Sequence, residues 1–584
     1  MKPGEPFNPF RLFNGLFVPE ALARHRGLSP GAKLAYGRLA RYAGQDGQCY
    51  PAVPTLAGEI GVGLRQAQKY LGELERVKLI RRISRFSENG QTSNQYQFLW
   101  HPIFDQEVND SAPEGVNDRS LPPVNDCSHT KRVSIKRVIL TAYGGLLPVA
   151  TMLEKLGFQQ VVEETVTVKR VTRAMPMYQF VLAIVLAVYV GFSRLHHLRF
   201  LSREPMLTGI LKVLRLPPQC TFWRFLASLH LGVARQLLEV HRRMRERVWE
   251  AAHVQLAAVT LDTDTTVHTL FGNQMGGRKS YNPKNKGKKS YQPILTFLAE
   301  TREYISGELR NGDRPTGAQI ARHLENVFAA LPPRVTTIYA RADSGFYCWD
   351  AVEAYEKRGV QFIISAQKTS RLVDELKAAD WKRSPRTDAD GQCEFRYQPV
   401  GWAKAYRFIA LRYVKKPKPR ETGEPEQYQL FDTPEYSYRV FVTNLKDPID
   451  LLVWFYSQRG GAENLIKEAN NEAGLAAHPS GRWMMNCNHF QLAMLAYNLN
   501  CWLMLFNREE EAKVETLKHT TLATARLRFL FLAAKIWRHA GRVGVSYSDH
   551  YAEQGIFRRL MDRLRAITTN GQGFLPVLPK ALTG

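Results

Sequence analysis

The spacing of hydrophobic positions changes several times along the chain. Between 254 and 365, apolar residues form three strand-like runs, followed by a helical run, a strand, a helix and a strand. In this order the first three strands pair antiparallel, and the later strands return through helices to extend the sheet. The pattern therefore predicts an α/β domain built on one mixed sheet.

This element order is the order of an RNase H-like fold. We expect its first part at 251–370 and its last helices at 447–506. Alternating strands around a Pro-, Glu- and Lys-rich loop predict a β-rich insertion at 371–446. Residues 507–584 are expected to form a C-terminal helical region. The run at 177–192 is apolar but only about sixteen residues long, so a buried helix is favoured over a membrane span.

The first hundred residues follow a different pattern. Ser29 and Pro30 suit the cap and first position of a helix. A short helix from Thr55, a turn at 61–63 and a longer helix then read as a helix-turn-helix. Alternating residues on both sides of an Asn-Gly pair add a hairpin, the wing. We predict a winged helix over 1–104, the alternative being a helical hairpin within a core.

The predicted contacts with DNA follow from this arrangement. The start of the second helix would enter the major groove, and the wing would contact the backbone. The residues expected to do so are Arg65, Gln66, Lys69, Arg82 and Arg85.

Two further segments separate this domain from the α/β core. Residues 105–132 contain the tripeptide VND three times with many acidic residues, Pro and Gly, which predicts a flexible acidic linker. Residues 133–250 are helical in pattern and rich in arginine, so we expect a helical accessory domain that binds DNA.

Composition points to the same partner. The formal charge is +26 with a pI near 9.8, while 44% of residues are hydrophobic, so the chain is a folded protein with a basic surface. Nucleic acid is the first partner to consider. Seven cysteines without a CxxC pair argue against a disulfide framework or a zinc site. No secretory signal pattern begins the sequence, and a cytoplasmic location is expected.

Three carboxylates are candidates for chemistry. Asp264 ends the first strand, Asp343 follows the fourth, and Glu463 lies on the helix after the insertion. In the predicted sheet, strands one and four are neighbours, so these positions can converge. Clustered carboxylate oxygens suit Mg²⁺ or Mn²⁺. Two such ions can activate a hydroxyl and stabilise the leaving oxygen in displacement at phosphorus. Asp262 shares a strand face with Asp264, so geometry leaves the first ligand open between them.

The helix bearing Glu463 carries a polar stripe. Tyr456, Arg459, Glu463 and Lys467 follow at steps of three, four and four, which places them on one face of a continuous helix. A solvated ladder of ion pairs is the simple interpretation. Gly460 and Gly461 within the run would let a DNA backbone approach closely.

Together, "LDTDTT", "RADSGFY" and "YSQRGGAENLIKE" resemble the three blocks of bacterial cut-and-paste DDE transposases, and the insertion before the last block is similar to the insertion sequence 1380 family. The resemblance runs from about Val133 to the C-terminal helices. It implies that Asp264, Asp343 and Glu463 hold two Mg²⁺ ions, which Mn²⁺ can replace, and it favours Asp264 over Asp262.

The family signature of Tyr, Arg, Glu and Lys falls on Tyr456, Arg459 and Glu463. Asn470 occupies the lysine position, and Lys467 lies one turn earlier as a possible substitute. The resemblance implies that Tyr456 and Arg459 face phosphates or an extruded base.

A basic loop follows the first strand. Residues 276–291 hold six Lys or Arg among glycines and tyrosines, which is typical of a solvated loop or of a segment that tracks DNA. The candidate contacts are Arg278, Lys279, Lys288 and Lys289.

These observations predict a DNA transposase that cleaves transposon ends and transfers strands into target DNA. Its partner would be double-stranded DNA, it would act as a homodimer on that DNA, and it would have no membrane association, in the nucleoid-associated cytoplasm of a bacterium. The alternatives are a sequence-specific regulator or replication-type protein on a non-catalytic RNase H-like scaffold, and a plain nuclease.

Overall fold

A computed structural model describes two compact units of the chain, Met1–Arg132 and Val133–Gly584. Its described residues are 18–43, 48–84, 86–87, 90–91, 94–99, 101–104, 139–168, 175–280, 282–283, 285–383, 388–415, 435–509, 514, 519–539, 542–548 and 550–568. The predicted linker at 105–132 lies outside these residues.

The N-terminal unit contains the predicted helix-turn-helix. Its helices are Glu20–Arg24, Pro30–Tyr42, Val53–Ile60 and Leu64–Arg76. The Ser29 hydroxyl accepts a hydrogen bond from the Ala32 amide at 3.3 Å, so the predicted helix start is confirmed. Gly61 has φ of 73°, a left-handed conformation that ends one helix and starts the turn to the next.

Short antiparallel strands complete this unit. Gln95–Phe98 lies between Gln48–Cys49 and Ile80–Ile83, and Phe86–Ser87 pairs with Gly90–Gln91. The hairpin therefore lies where the Asn-Gly pair predicts it. Asn89 itself and Arg85 lie outside the described residues.

Helices make up most of the first quarter of the C-terminal unit. They are Leu146–Lys155, Phe158–Thr165, Met177–Tyr189, Pro205–Ile210, Gln219–Ser228 and Gly232–Ala251. Met177–Tyr189 is buried on nearly all sides, as expected for its all-round apolar sequence. In the described ranges, no helix is both long and apolar enough to cross a membrane.

An eight-stranded mixed sheet forms the centre of the unit. Its strands are β1 (Ala258–Thr265), β2 (Ile294–Leu298), β3 (Tyr304–Glu308), β4 (Thr337–Ala342), β5 (Gln361–Ser365), β6 (Gly391–Tyr397), β7 (Tyr406–Val414) and β8 (Tyr436–Thr443). The spatial order is β3-β2-β1-β4-β5-β8-β7-β6. β1, β4 and β5 are parallel, whereas β2 and β3 pair antiparallel. The predicted order of three strands, helix, strand, helix and strand is confirmed.

Helices cover this sheet and continue beyond it. They are Gly317–Ala329, Trp349–Lys357, Ser370–Ala378, Ile449–Ser457, Gly460–Asn471, Trp483–Asn507, Leu522–Ala525 and Gln554–Ala566. The strands of the predicted insertion do not form a separate body. β8 pairs antiparallel with β5, so these strands extend the same sheet.

The C-terminal region, which was expected to be helical, contains a β-hairpin as well as helices. Ala534–His539 pairs antiparallel with Arg542–Tyr547 and with Ile139–Thr141. The physical reason is alternation with period two, because Ala534 and Ile536 are buried while the residues between and after them are exposed.

A buried ion pair joins β1 to β4. Asp262 and Arg341 are register partners on these neighbouring strands, and both side chains are nearly inaccessible. Arg341 Nε and Nη2 donate to the two Asp262 oxygens at 2.7 and 2.8 Å, and Nη1 donates to the Phe455 carbonyl at 2.8 Å. The pair satisfies both charges inside the sheet, which is the condition for burying them.

Replacing Asp262 with Asn should lower the free energy of unfolding by about 3–5 kcal/mol, because the Arg341 charge would stay buried without a counterion. Urea unfolding followed by tryptophan fluorescence measures this loss. Asp374→Asn is the matched control, since that carboxylate is 72% exposed. Equal midpoints for the two variants would contradict a structural role for Asp262.

Candidate active site

Two of the predicted carboxylates come from neighbouring parallel strands. Asp264 is the last residue but one of β1, and Asp343 follows β4 directly. Because β1 and β4 are parallel and paired in register, their carboxyl ends lie at the same end of the sheet. The Asp343 carboxylate accepts a hydrogen bond from the Gly345 amide at 3.0 Å, which caps the short 3-10 turn Ser344–Phe346.

The third carboxylate, Glu463, lies shortly after an interruption between two helices. Ile449–Ser457 ends, and Gly460–Asn471 begins with Arg459 as its cap residue. The stripe is therefore divided between two helical segments and not carried by one continuous helix, although Arg459 still contacts both Tyr456 and Glu463 at the predicted steps. The break occurs just before Gly460 and Gly461, and paired glycines stabilise a continuous helix poorly. Glu463 lies in the first turn of the second helix and is 56% exposed.

Arg459 joins two of the three carboxylates. Its Nη1 donates to Asp264 Oδ2 at 2.9 Å, and its Nη2 donates to Glu463 Oε1 at 3.2 Å. The Arg459 and Asp264 side chains are each only 12% exposed. A single guanidinium therefore bridges the end of β1 and the helix that carries Glu463.

The pKa values of the two aspartates are raised because both are buried beside other charged groups. Burial, together with the negative charge of Asp343, raises the pKa of Asp264 to about 6 against the opposing effect of Arg459. Burial also raises the pKa of Asp343, Arg459 lowers it, and Glu463 adds to the rise. The site thus holds mutually repelling carboxylates around one positive charge.

The donor atoms suit a hard divalent cation, since all three predicted ligands are carboxylates. Among the residues that the structure describes, however, no three side chains of His, Cys, Asp or Glu are grouped to hold a metal ion. The physical reason is the guanidinium of Arg459, which lies between Asp264 and Glu463. The carboxylate donors suit a metal ion, but in this structure the Arg459 guanidinium lies between two of them, Asp264 and Glu463.

Tyr456 is a largely buried neighbour of Arg459. It is 9% exposed, and its ring centroid is 4.5 Å from that of Phe441 on β8. Burial raises the pKa of its hydroxyl. The Arg459 guanidinium lies 5.7 Å from the centroid of this ring, and the charges of Arg459 and Asp343 both act on the pKa of the Tyr456 hydroxyl. Tyr456 therefore lies next to the carboxylates, and its contact with phosphates or an extruded base stays a prediction.

The two candidates for the family's lysine differ in their surroundings. Lys467 is exposed on the helix Gly460–Asn471. Asn470 Oδ1 accepts from His268 Nε2 at 2.8 Å, and its Nδ2 lies 3.5 Å from Thr266 Oγ1. Asn470 therefore ties the Glu463 helix to the segment after β1, a role that the sequence analysis missed.

A second contact that the sequence analysis did not predict involves Glu468, on the same helix as Glu463. Glu468 is buried, and its carboxylate accepts from His519 Nε2 at 2.6 Å and from the Leu522 amide at 2.7 Å. Buried carboxylates need such partners. The sequence did not single out Glu468, because its neighbours Lys467 and Asn470 are polar as well.

The predicted DNA-contact residues of the N-terminal unit are partly available. Arg65, Gln66 and Lys69 are exposed near the start of Leu64–Arg76. Arg82, on the strand Ile80–Ile83, instead forms an ion pair with Glu75 of the helix Leu64–Arg76, at 3.3 Å.

The basic loop after β1 is also exposed. Arg278, Lys279, Lys288 and Lys289 all reach solvent, and Arg278 Nε lies 3.9 Å from Asp313 Oδ2.

Comparison with known proteins adds an independent observation. The family model "Transposase DDE domain group 1" matches residues 132–569, and a "Helix-turn-helix domain" model matches residues 26–80. No curated protein matches the sequence.

Two solved structures show distant similarity. One is the cryo-EM structure of the piggyBac transposase synaptic complex with hairpin DNA, at 11% identity and a TM-score of 0.32, covering 75% of this chain and 88% of that one. The other is the crystal structure of a pre-cleavage Mos1 transpososome, at 11% identity and a TM-score of 0.13, covering 44% and 65%. Scores this low carry no argument, whereas the family model spans well over half of the chain. The chain belongs to the family of DDE transposases described as Transposase DDE domain group 1.

Proposed function

We propose that Asp264, Asp343 and Glu463 are the catalytic carboxylates of this DNA transposase, which cleaves DNA at transposon ends and transfers the strands to a target. The observation that carries the proposal is the contact of Arg459 with both Asp264 and Glu463, together with the parallel pairing of β1 and β4 that brings Asp264 and Asp343 to the same end of the sheet. Residues separated by almost two hundred positions thus share one site.

We infer that the catalytic core is RNase H-like. The spatial order β3-β2-β1-β4-β5, with antiparallel pairing of the first three strands and parallel return of the next two, supports this assignment. Membership of the insertion sequence 1380 family stays a prediction.

In this proposal the three carboxylates would hold two Mg²⁺ ions, or Mn²⁺ in their place. When bound, the ions would supply Lewis-acid activation of a water or 3′-hydroxyl and stabilise negative charge at the phosphorus centre. Asp262 would take no part, because both of its oxygens are engaged by Arg341.

Arg459 would have two alternative partners. Within the chain it neutralises part of the negative charge of Asp264 and Glu463. With a cation held by the carboxylates, the Arg459 guanidinium would be free to bind a phosphate of the DNA, for which its planar pair of donors is suited.

The remaining DNA contacts would come from the N-terminal unit and the basic loop. The helix-turn-helix with its hairpin is proposed to act as a winged helix, through Arg65, Gln66 and Lys69. A transposase must hold two transposon ends, so a homodimer on DNA is the natural assembly. A non-catalytic scaffold is disfavoured because all three acidic positions are occupied and two of them share one arginine.

Asp264→Asn, Asp343→Asn and Glu463→Gln should each reduce cleavage of end DNA by at least a hundredfold while leaving DNA affinity within about twofold, since each removes a proposed metal ligand and no phosphate contact. Strand-resolved gels with Mg²⁺ or Mn²⁺, and binding measured in EDTA, test this. Asp374→Asn is the control. Full cleavage by the Asp343 or Glu463 variant would refute the assignment.

The raised pKa of Asp264 predicts a pH-dependent stability difference. In the unfolded chain an aspartate ionises near pH 3.9, and in the fold near 6, so its ionisation opposes folding. Asp264→Asn should match the parent at about pH 4 and become relatively more stable by up to about 2–3 kcal/mol towards pH 7. Urea titrations in EDTA measure this, and a difference that shrinks as pH rises would contradict the burial of Asp264.

The N-terminal unit is predicted to supply affinity and no chemistry. Arg65→Ala combined with Lys69→Ala should weaken DNA binding about tenfold or more, since each contact with DNA contributes about 1–3 kcal/mol. The cleavage rate at saturating DNA should be unchanged. Arg76→Ala, at the other end of the same helix, is the control. Loss of cleavage at saturating DNA would mean that this unit is integral to catalysis.

A further inference from the structure

The segment between β1 and β2, residues 266–293, projects beyond the sheet, and we name it the β1–β2 arm. It begins two residues after Asp264. His268–Thr269 pairs with Ser290–Tyr291, and the Thr266 amide donates to the Pro293 carbonyl at 3.1 Å. The hairpin thus continues out of the sheet from the end that carries the proposed catalytic carboxylates.

Two large apolar side chains on this arm face solvent. Phe271 is 84% exposed and Met275 is 63% exposed. Single exposed apolar residues are ordinary on protein surfaces. Here two of them lie four positions apart, on the segment that leads away from Asp264.

The backbone that presents them is held in place. The Met275 amide donates to the Gly481 carbonyl at 2.9 Å, and the Tyr291 hydroxyl donates to the Met275 carbonyl at 2.6 Å. The Leu270 amide donates to the Lys289 carbonyl at 2.8 Å. The exposure of Phe271 and Met275 is therefore a property of a bonded loop.

Glycines set the turn after Met275. Gly276 has φ of 81°, and a Cβ there would lie 2.7 Å from the Trp483 indole. A Cβ on Gly277 would lie 2.7 Å from the Leu270 side chain. The arm thus packs tightly on the chain that follows the Glu463 helix, and its position relative to that helix is fixed.

The charge that the arm itself carries has one sign. Residues 266–293 contain no Asp or Glu. The same arm carries five exposed basic residues, and Lys289 lies opposite Leu270, the residue before Phe271; the five are Arg278, Lys279, Lys286, Lys288 and Lys289. A rigid aromatic side chain among cations matches a nucleic acid, whose phosphates meet the cations while a base stacks on the ring. A protein partner would instead need an acidic surface that matches the positive charge of the arm.

We propose that Phe271, supported by Met275, is a stacking site for an unpaired nucleobase of the DNA bound at the active site. The site would hold one base out of the duplex and so fix the phosphate backbone relative to Asp264 and Glu463. This inference rests on the proposed function, because it takes the end of β1 as the place of cleavage. Phe271 is a positioning residue and touches no reacting atom.

Short DNA duplexes of arbitrary sequence test the proposal with the full-length protein in EDTA. One duplex carries a single bulged adenine, the second carries an abasic nucleotide at the same bulge, and the third is fully paired. Fluorescence anisotropy should give about tenfold tighter binding of the adenine bulge than of the abasic bulge, because only the former offers a base to stack.

Phe271→Ala should abolish this tenfold difference without weakening binding of the abasic or paired duplex by more than about twofold. Met275→Ala should reduce it partly, and Phe271→Trp should keep it. Leu214→Ala is the matched control, because Leu214 is 77% exposed and lies outside the arm. Since Phe271 is largely exposed, truncating it removes little packing.

Equal binding of the two bulges by the parent would overturn the proposal, as would an unchanged preference in Phe271→Ala. A uniform loss on all three duplexes would also overturn it, since that result identifies a general DNA contact. No cleavage occurs in EDTA, so the outcome does not depend on the carboxylate assignment. Failure of the proposed function would appear separately, as full cleavage by Asp343→Asn or Glu463→Gln.

Discussion

The bridge from Asp264 through Arg459 to Glu463 is the interaction on which the site depends. Carboxylates at one end of a sheet repel each other unless a positive charge lies between them. Arg459 supplies that charge within the chain, at 2.9 Å from Asp264 and 3.2 Å from Glu463. A divalent ion would do the same with twice the charge. The site therefore has two compatible states in our proposal, one closed by arginine and one in which arginine is free to meet phosphate.

The sheet and its neighbouring helices make this bridge possible because they hold β1, β4 and the Glu463 helix in place. Parallel pairing of β1 and β4 brings Asp264 and Asp343 to the same end of the sheet, and the buried pair of Asp262 with Arg341 locks that pairing. Glu468, bound by His519 and the Leu522 amide, holds the opposite side of the Glu463 helix. Buried ionic contacts thus determine where the exposed carboxylate can lie.

Much of this arrangement was predictable from the sequence. The runs between 254 and 365 have clear periods, and the order of elements follows from them. The role of Asp262 was not predictable, because period two places it on the same face as Asp264 and only the register with Arg341 distinguishes them. Spacing alone also did not reveal that the helix breaks before Gly460 or that Tyr456 turns inward. The C-terminal hairpin was missed because its alternation is short and lies within a region of helical composition.

In our proposal, Asp264, Asp343 and Glu463 together surround a metal ion. Replacement of Mg²⁺ by Fe²⁺ with ascorbate and peroxide tests it most directly, because hydroxyl radicals formed at bound iron cut the nearest backbone. Mass spectrometry of the fragments should place the cuts next to these three residues, and excess Mg²⁺ should suppress them. Cuts confined to other parts of the chain, or cuts at these positions that Mg²⁺ does not suppress, would contradict the account.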